Sequence, residues 1–231
     1  MKDNTSNPSA QHSEKHALIH SSILKMLHLQ EAINSQITTD WREQYYPWYR
    51  AAWVECAELM DHHGWKWWKH ERPDTDQIQL ELVDIWHFGL SDCLQHCQDK
   101  NLTADALYRS VYLVSLVPTT TSLLDATELF ARDCLQLRRF PTLSFAQLLS
   151  SAGLDFNAMV RLYLGKNTLN SFRQDHGYKE GRYVKVWNGL EDNEHLTVIL
   201  KALQQKVVPD DIQNHIYTAL KVSYDESVAQ G

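Results

Sequence analysis

The sequence predicts an all-α protein, and three observations carry that prediction. Apolar residues recur at spacings of three and four from end to end, the period of a helix with one buried face. Alternation of β-branched with polar residues, the mark of half-buried strands, is almost absent. Glycine and proline, which break helices, number only eight and six in 231 residues. With 43% hydrophobic content the chain can bury one substantial core. Residues 1–15 read as a disordered tail and 16–231 as one domain, with 100–160 as a candidate mobile lobe.

The elements follow in order. A first helix is expected over 16–37 and a second over 47–63, stopped by Gly64. The stretch 65–74, aromatic and then charged and holding Pro73, reads as a loop. A third helix should cover 75–99, with further helices over 103–116, 119–138, 143–152 and 155–175. Gly177 and Gly181 bracket a connecting segment, and two short helices near 191–206 and 209–223 complete the series.

Composition excludes several function classes. A net charge of −7 argues against binding a nucleic-acid backbone, which needs a basic excess. No apolar run approaches the ~20 residues that span a bilayer, so no membrane partner is expected. The opening stretch, Met1 to His16, is polar and lacks the apolar core of a signal sequence. Cys56, Cys93, Cys97 and Cys134 sit inside apolar helical patterns without a Cys-x-x-Cys spacing. They read as reduced core residues of a cytoplasmic protein and not as zinc ligands.

The second helix holds Tyr49, Trp53, Cys56, Ala57 and Met60 as an apolar stripe, with Glu55, Glu58 and His62 on the other side. Two glutamates three apart share a face and repel mildly; alone, they describe a solvated face. The third helix presents a second pair. Ile78, Leu82, Trp86, Leu90, Cys93 and Cys97 make its apolar stripe, while Glu81 and Asp84 lie opposite with Gln77 and Phe88. If the two helices pack antiparallel, four carboxylates converge. Such a set calls for a hard divalent cation, Mg²⁺ with Mn²⁺ as substitute, in preference to zinc. Asp84 and His87 also match the carboxylate-x-x-His element of di-iron bundles, but that architecture needs the element twice and the chain offers it once. His87 reads as a partly buried polar residue.

Two further segments carry polar anomalies. On the first helix Ile19, Ile23, Leu27, Gln30, Asn34 and Ile37 form one stripe, so two carboxamides occupy an apolar face. They are either a buried pair satisfying itself or a recognition element for a base edge, since a carboxamide both donates and accepts. Lys166, Asn170 and Arg173 fall at i, i+4 and i+7, with Leu169 and Phe172 turned toward packing. That is either a basic solvated face or a phosphate-binding stripe.

The order Glu55-x-x-Glu58 and then Glu81-x-x-Asp84 resembles the metal signature of the all-α nucleoside triphosphate pyrophosphatases. "GWKWWK" (Gly64 to Lys69) between the pairs resembles one branch, the dimeric all-α dUTPases of trypanosomatids, some bacteria and phages. "LQEAIN" (Leu29 to Asn34) is similar to that family's LQxxLN segment, whose Gln and Asn contact uracil, with Ile33 replacing the family's Leu. The stretch Lys166 to Trp187 is similar to its C-terminal motifs, and Glu191-Asp192-Asn193 to its EDN motif.

The resemblance spans roughly residues 28–196 and implies a role for each matched position. Glu55, Glu58, Glu81 and Asp84 would hold Mg²⁺, with Asn193 close by. Gln30 and Asn34 would read uracil. Trp65 and Trp67 would wall the base site, unless these tryptophans are core or dimer aromatics. Lys166, Asn170, Arg173, Tyr178, Lys179 and Lys185 would hold phosphates. The implied activity is hydrolysis of dUTP to dUMP and diphosphate, with dUDP as a second substrate, in a homodimer. Glu55 would deprotonate the attacking water. Two alternatives remain at this point: a MazG-like or dCTPase–dUTPase-type pyrophosphatase with another base choice, and a non-catalytic helical metal-binding or interaction protein.

Overall fold

A computed structural model of the protein describes residues 8–203 and 211–228. Its elements are α1 (Pro8–Ile37), α2 (Trp48–His63), α3 (Thr75–His96) and α4 (Lys100–Leu107), then a π-helical turn (Tyr108–Tyr112) leading into the short α5 (Leu113–Ser115). There follow α6 (Leu123–Leu137), α7 (Thr142–Ser151), α8 (Phe156–Asp175), strands β1 (Val186–Trp187) and β2 (Leu190–Glu191), α9 (Asp192–Leu203) and α10 (Ile212–Val228). The all-α expectation holds.

Local chemistry sets the ends of these helices. Asp74, Asp99, Ser122 and Asp155 each accept a backbone N–H of the following first turn and so start α3, α4, α6 and α8. Gly64 ends α2 in the left-handed region at φ 79°, its N–H returning to Met60 and Asp61 carbonyls. Several boundaries differ from expectation; α6 begins at Leu123, not 119, because Ser122 caps it, and α10 runs on to Val228 past the expected 223. α1 begins at Pro8, so part of the stretch read as a tail is helical; Pro is well suited to a first helical turn. α3 stops at His96, where Cys97 turns to extended backbone. α4 begins three residues early because Asp99 caps it. The expected ends of the last two helices at 204–206 and 209–210 fall outside the described residues.

The β1–β2 hairpin was not expected. It pairs Val186 with Glu191 and Trp187 with Leu190 across Asn188 and Gly189, both at positive φ. Asn-Gly is the strongest short hairpin signal, and the hairpin buries Trp187 completely.

α3 is the central helix. It packs along α2 and also touches α1, α4, α8 and α9. Ile78, Leu80, Leu82, Val83, Ile85, Trp86, Leu90 and Leu94 are all buried, so it is covered on every side and not amphipathic as its sequence stripe implied. α2 is rotated from its expected stripe. Ala52, Cys56 and Leu59 are buried, whereas Tyr49, Trp53 and Met60 are half-buried and Ala57 is exposed. That rotation brings Glu55 to the seam with α3.

Gly89 lets the α6–α7 connection close onto α3. A Cβ there would lie 2.5–2.7 Å from three ring atoms of Phe140, which also packs on Trp86, Phe130 and Phe145. Gly89→Ala is expected to destabilise the fold by ~1–3 kcal/mol, the cost of overpacking a tight core. Urea unfolding checks this, and an unchanged midpoint would contradict the contact.

Candidate active site

The α2–loop–α3 hairpin brings the carboxylates level. Glu55 lies eight residues before the end of α2 and Asp84 nine after the start of α3. At 1.5 Å per residue both stand about 12–14 Å from the turn. Oxygens of Glu55, Glu81 and Asp84 all lie within 4.8 Å of one another. Glu58 is exposed and stands outside this trio, although its charge still acts on Glu55 and Glu81. His62, one turn further along α2, places Nε2 3.5 Å from Glu81 Oε1.

Crowding shows in the acidities. Burial, then the charges of Asp84 and Glu81, push the Glu55 carboxyl far above its ordinary range. Burial and then Asp84 do the same to Glu81, with Lys166 pulling the other way. Glu81 is only 3% exposed. Like charges held this close in a partly dry site are unfavourable without a counter-charge. Three hard oxygen donors of this spread suit Mg²⁺ or Mn²⁺.

Cations face the trio from α8. The Lys166 ammonium is buried, 2.7 Å from Asp84 Oδ2, and donates to Asn193 Oδ1 at 2.9 Å. Arg173 forks onto Asp192 with two 2.8 Å bonds and reaches Asn170 Oδ1 at 3.3 Å and Asn193 Oδ1 at 3.4 Å. Tyr183 also donates to Asp192, at 2.9 Å. Asp192 is fully buried, and its carboxyl stays below its usual range because Arg173 and Tyr183 outweigh the desolvation. Asn193 turns its oxygen to these two cations. Arg173 lies over the Tyr178 ring at 5.9 Å.

A cavity of about 800 Å³ adjoins both groups, within the size range of small-molecule sites. Glu55, Asp84, Lys166, Asn170, Arg173 and Tyr178 line it, as do Gln30 and Asn34. Lys179 and Lys185 are not lining residues. Lys179 donates to the Ile37 carbonyl at the end of α1, and Lys185 pairs with Glu191 at 2.9 Å. Arg173→Ala is expected to weaken nucleotide binding by ~1.5–3 kcal/mol, the range for bonds to charged groups. Calorimetry should find a larger loss for dUTP than for deoxyuridine; equal losses would make Arg173 a fold residue.

At the other end of the cavity Gln30 is fully engaged. Its Nε2 donates to Asn34 Oδ1 at 3.0 Å and Ser91 Oγ at 2.9 Å. Its Oε1 receives His87 Nδ1 at 2.7 Å and lies 3.0 Å from the Tyr163 hydroxyl, whose one proton it shares with the Met26 carbonyl at 2.9 Å. Asn34 Nδ2 donates to Ser91 Oγ at 3.0 Å. The two amides are thus a self-satisfying buried pair and cavity-lining residues at once. His87 is buried, stacks on Tyr163 at 4.2 Å and stays neutral, its pKa pressed down to about 4 by desolvation. With Nδ1 donating to Gln30, Nε2 is an acceptor, and it has no partner among the described residues.

Sequence reasoning passed over His87 in this role, along with Ser91, Tyr163 and Asp192. One signal was present: His87 and Ser91, four apart, are polar interruptions of the apolar α3.

Besides Tyr178 at the phosphate end, the aromatics of the cavity wall are Trp41, Tyr46, Trp48 and Phe88, not the tryptophans of the loop. Trp48 and Phe88 stack at 6.4 Å and 26°. Arg42 positions this wall, tying Glu31 of α1 to the Leu94 carbonyl near the end of α3. Trp65, Trp67 and Trp68 pack edge-on against one another outside the cavity, Trp67 being 89% exposed. The left-handed turn at Gly64 and a 2.8 Å bond from the Trp65 indole to Asp61 direct them outward.

Fold and site together define a class: a helical hydrolase acting on a phosphorylated small molecule. A family model described as dUTPase matches residues 22–178, and the chain belongs to that family, the all-α dUTPases. It is accordingly a dUTP diphosphatase. The match includes Gln30, Glu55, Asp84, Lys166 and Arg173 and ends before Lys179, Lys185 and Asn193. No curated protein matches the chain. Among the described residues, no helix is long and apolar enough to cross a membrane.

Proposed function

We propose that the protein hydrolyses dUTP to dUMP and diphosphate in a Mg²⁺-dependent reaction at the α-phosphorus, with dUDP as a second substrate. One observation supports this most: a single cavity runs from the Gln30–Asn34–His87 network to Glu55, Asp84, Lys166 and Arg173. That is the span of a nucleotide, base at one end and phosphates at the other.

Glu55, Glu81 and Asp84 are the candidate metal ligands, Glu58 is the fourth that the resemblance implies, and Asn193 faces them through Lys166. Bound Mg²⁺ supplies positive charge against the phosphates and polarises their oxygens; Mn²⁺ is the expected substitute. Lys166, Asn170, Arg173 and Tyr178 bind phosphate oxygens, while Lys179 and Lys185 would have to leave their present partners to join. Glu55, left ionised once a bound divalent ion offsets the charges of Glu81 and Asp84, orients the attacking water and takes its proton.

Uracil presents acceptor, donor and acceptor along its pairing edge. His87 Nε2, held as an acceptor, meets the ring N–H, and Asn34 meets a carbonyl with its remaining amide proton. Trp48 and Phe88 offer the stacking surface; Trp65 and Trp67 would reach a base only in a neighbouring subunit or after rearrangement. The resemblance implies a homodimer, and the exposed Leu135, Leu137 and Leu143 provide apolar surface for it. The expected location is the cytoplasm.

Turnover in ¹⁸O-water tests the reaction. The label should enter dUMP, and only with Mg²⁺ or Mn²⁺ present. Label in diphosphate would place the attack at the β-phosphorus and refute this reading.

A further inference from the structure

Lys166 is shared between the two halves of the site. Lys166 is only 2% exposed, and its ammonium has Asp84 Oδ2 at 2.7 Å and Asn193 Oδ1 at 2.9 Å. An ammonium has three protons to donate, so one remains beyond these two partners. Lys166 also lines the cavity, where a phosphate oxygen would accept a hydrogen bond from that N–H. Asp84 is at once the counter-ion of Lys166 and a member of the carboxylate trio. A divalent ion on the trio therefore competes with the ammonium for one carboxylate. The two positive charges also repel at short range in a largely buried setting, where screening is weak.

We infer that Lys166 restrains metal affinity until a phosphate arrives, so that metal and nucleotide strengthen each other's binding through this one side chain. The inference rests on the metal reading of Glu55, Glu81 and Asp84. A phosphate beside Lys166 offers the ammonium a second anion, loosens its hold on Asp84 and offsets its repulsion of the ion. By linkage the effect is reciprocal: whatever the phosphate does for the metal, the metal does for the phosphate. Removing the charge should thus tighten metal binding while weakening phosphate binding. A residue that served only to position Asp84 would, on removal, weaken both.

Mn²⁺ alone is titrated calorimetrically into the full chain as wild type, Lys166→Gln, Lys166→Met and Lys166→Arg. Both neutral variants should bind Mn²⁺ at least about fivefold more tightly than wild type, the size of one like-charge repulsion at ~4 Å even in bulk water. Lys166→Arg, which keeps the charge, should stay near wild type. Saturating dUMP should tighten Mn²⁺ binding to wild type and do so much less in the neutral variants. Thermal melts give a second readout, because Mn²⁺ should raise the midpoint more in a neutral variant than in wild type. Equal or weaker Mn²⁺ binding in a folded neutral variant would overturn the inference and leave the metal site standing. Failure of wild type itself to bind Mn²⁺ at millimolar concentration would remove the metal reading and the inference with it.

Discussion

Glu55→Gln should lose dUTP turnover by about 10²–10⁴-fold, the contribution of a positioned general base, and bind Mg²⁺ more weakly, yet melt at a higher temperature than wild type in metal-free buffer. The two halves of this result have one cause. Glu55 is held at the α2–α3 seam among Glu81 and Asp84, where burial and like charge make its ionised form unfavourable. Glutamine keeps the shape and removes the charge. The sign of the pH effect follows. The carboxyl's pKa is raised in the folded state above its unfolded value near ~4.3. Between those two values the unfolded chain releases its proton first, so stability falls as pH rises through that window. Below ~pH 4 both states are protonated and the difference vanishes. Melts from pH 5 to pH 9 should slope downward in wild type and less steeply in Glu55→Gln. A variant that is both inactive and less stable at pH 8 would mean that Glu55 is a structural partner and not a strained functional group.

Gln30→Leu should erase most of the preference for dUTP over dCTP, which in wild type should exceed about tenfold in kcat/KM. Gln30 has both amide hydrogens engaged by Asn34 and Ser91, and its oxygen faces His87 and the Tyr163 hydroxyl. It acts on the base through those partners, as a positioning residue. Its oxygen holds the proton of His87 on Nδ1, which leaves Nε2 as an acceptor for the uracil ring N–H. Cytosine carries a lone pair at that ring nitrogen, so acceptor would face acceptor, and an unpaired buried polar group costs ~1–3 kcal/mol. Without Gln30 the imidazole can take the other tautomer and donate to cytosine. The readout specific to positioning is the split between substrates: dCTP should gain relative to dUTP while helicity is kept. Parallel loss for both nucleotides would make Gln30 a packing residue.

What the sequence disclosed follows physical lines. The stop at Gly64 after α2 stood where expected, because a left-handed C-cap is local, whereas the starts that Asp99 and Ser122 cap lie three residues before and four after the expected positions. Lys166, Asn170 and Arg173 appeared as one stripe because they share a regular helix, and Leu169 and Phe172 are buried behind it as expected. The face of α2 was misjudged because apolar residues occur all around it, and only packing against α3 and α6 selects Ala52, Cys56 and Leu59. The tryptophans of the 65–68 loop were unreadable in a different way, since helical period says nothing about the direction of a turn. The Gln30 network was half legible: two amides on an apolar stripe were visible, but Ser91 and Tyr163 lie more than fifty residues away in sequence. Asp192 stood out only as part of the Glu191-Asp192-Asn193 motif, and its pairing with Arg173, nineteen residues away, was not legible there.

The central claim is that one cavity selects uracil at one end and hydrolyses a triphosphate at the other. Diphosphate release measured with Mg²⁺ across dUTP, dCTP, dTTP and dATP tests it most directly. The account predicts turnover of dUTP, with dCTP more than about tenfold poorer in kcat/KM and dTTP and dATP poorer still. Turnover of dCTP as efficient as that of dUTP would contradict the uracil assignment and point instead to a pyrophosphatase of broader base choice.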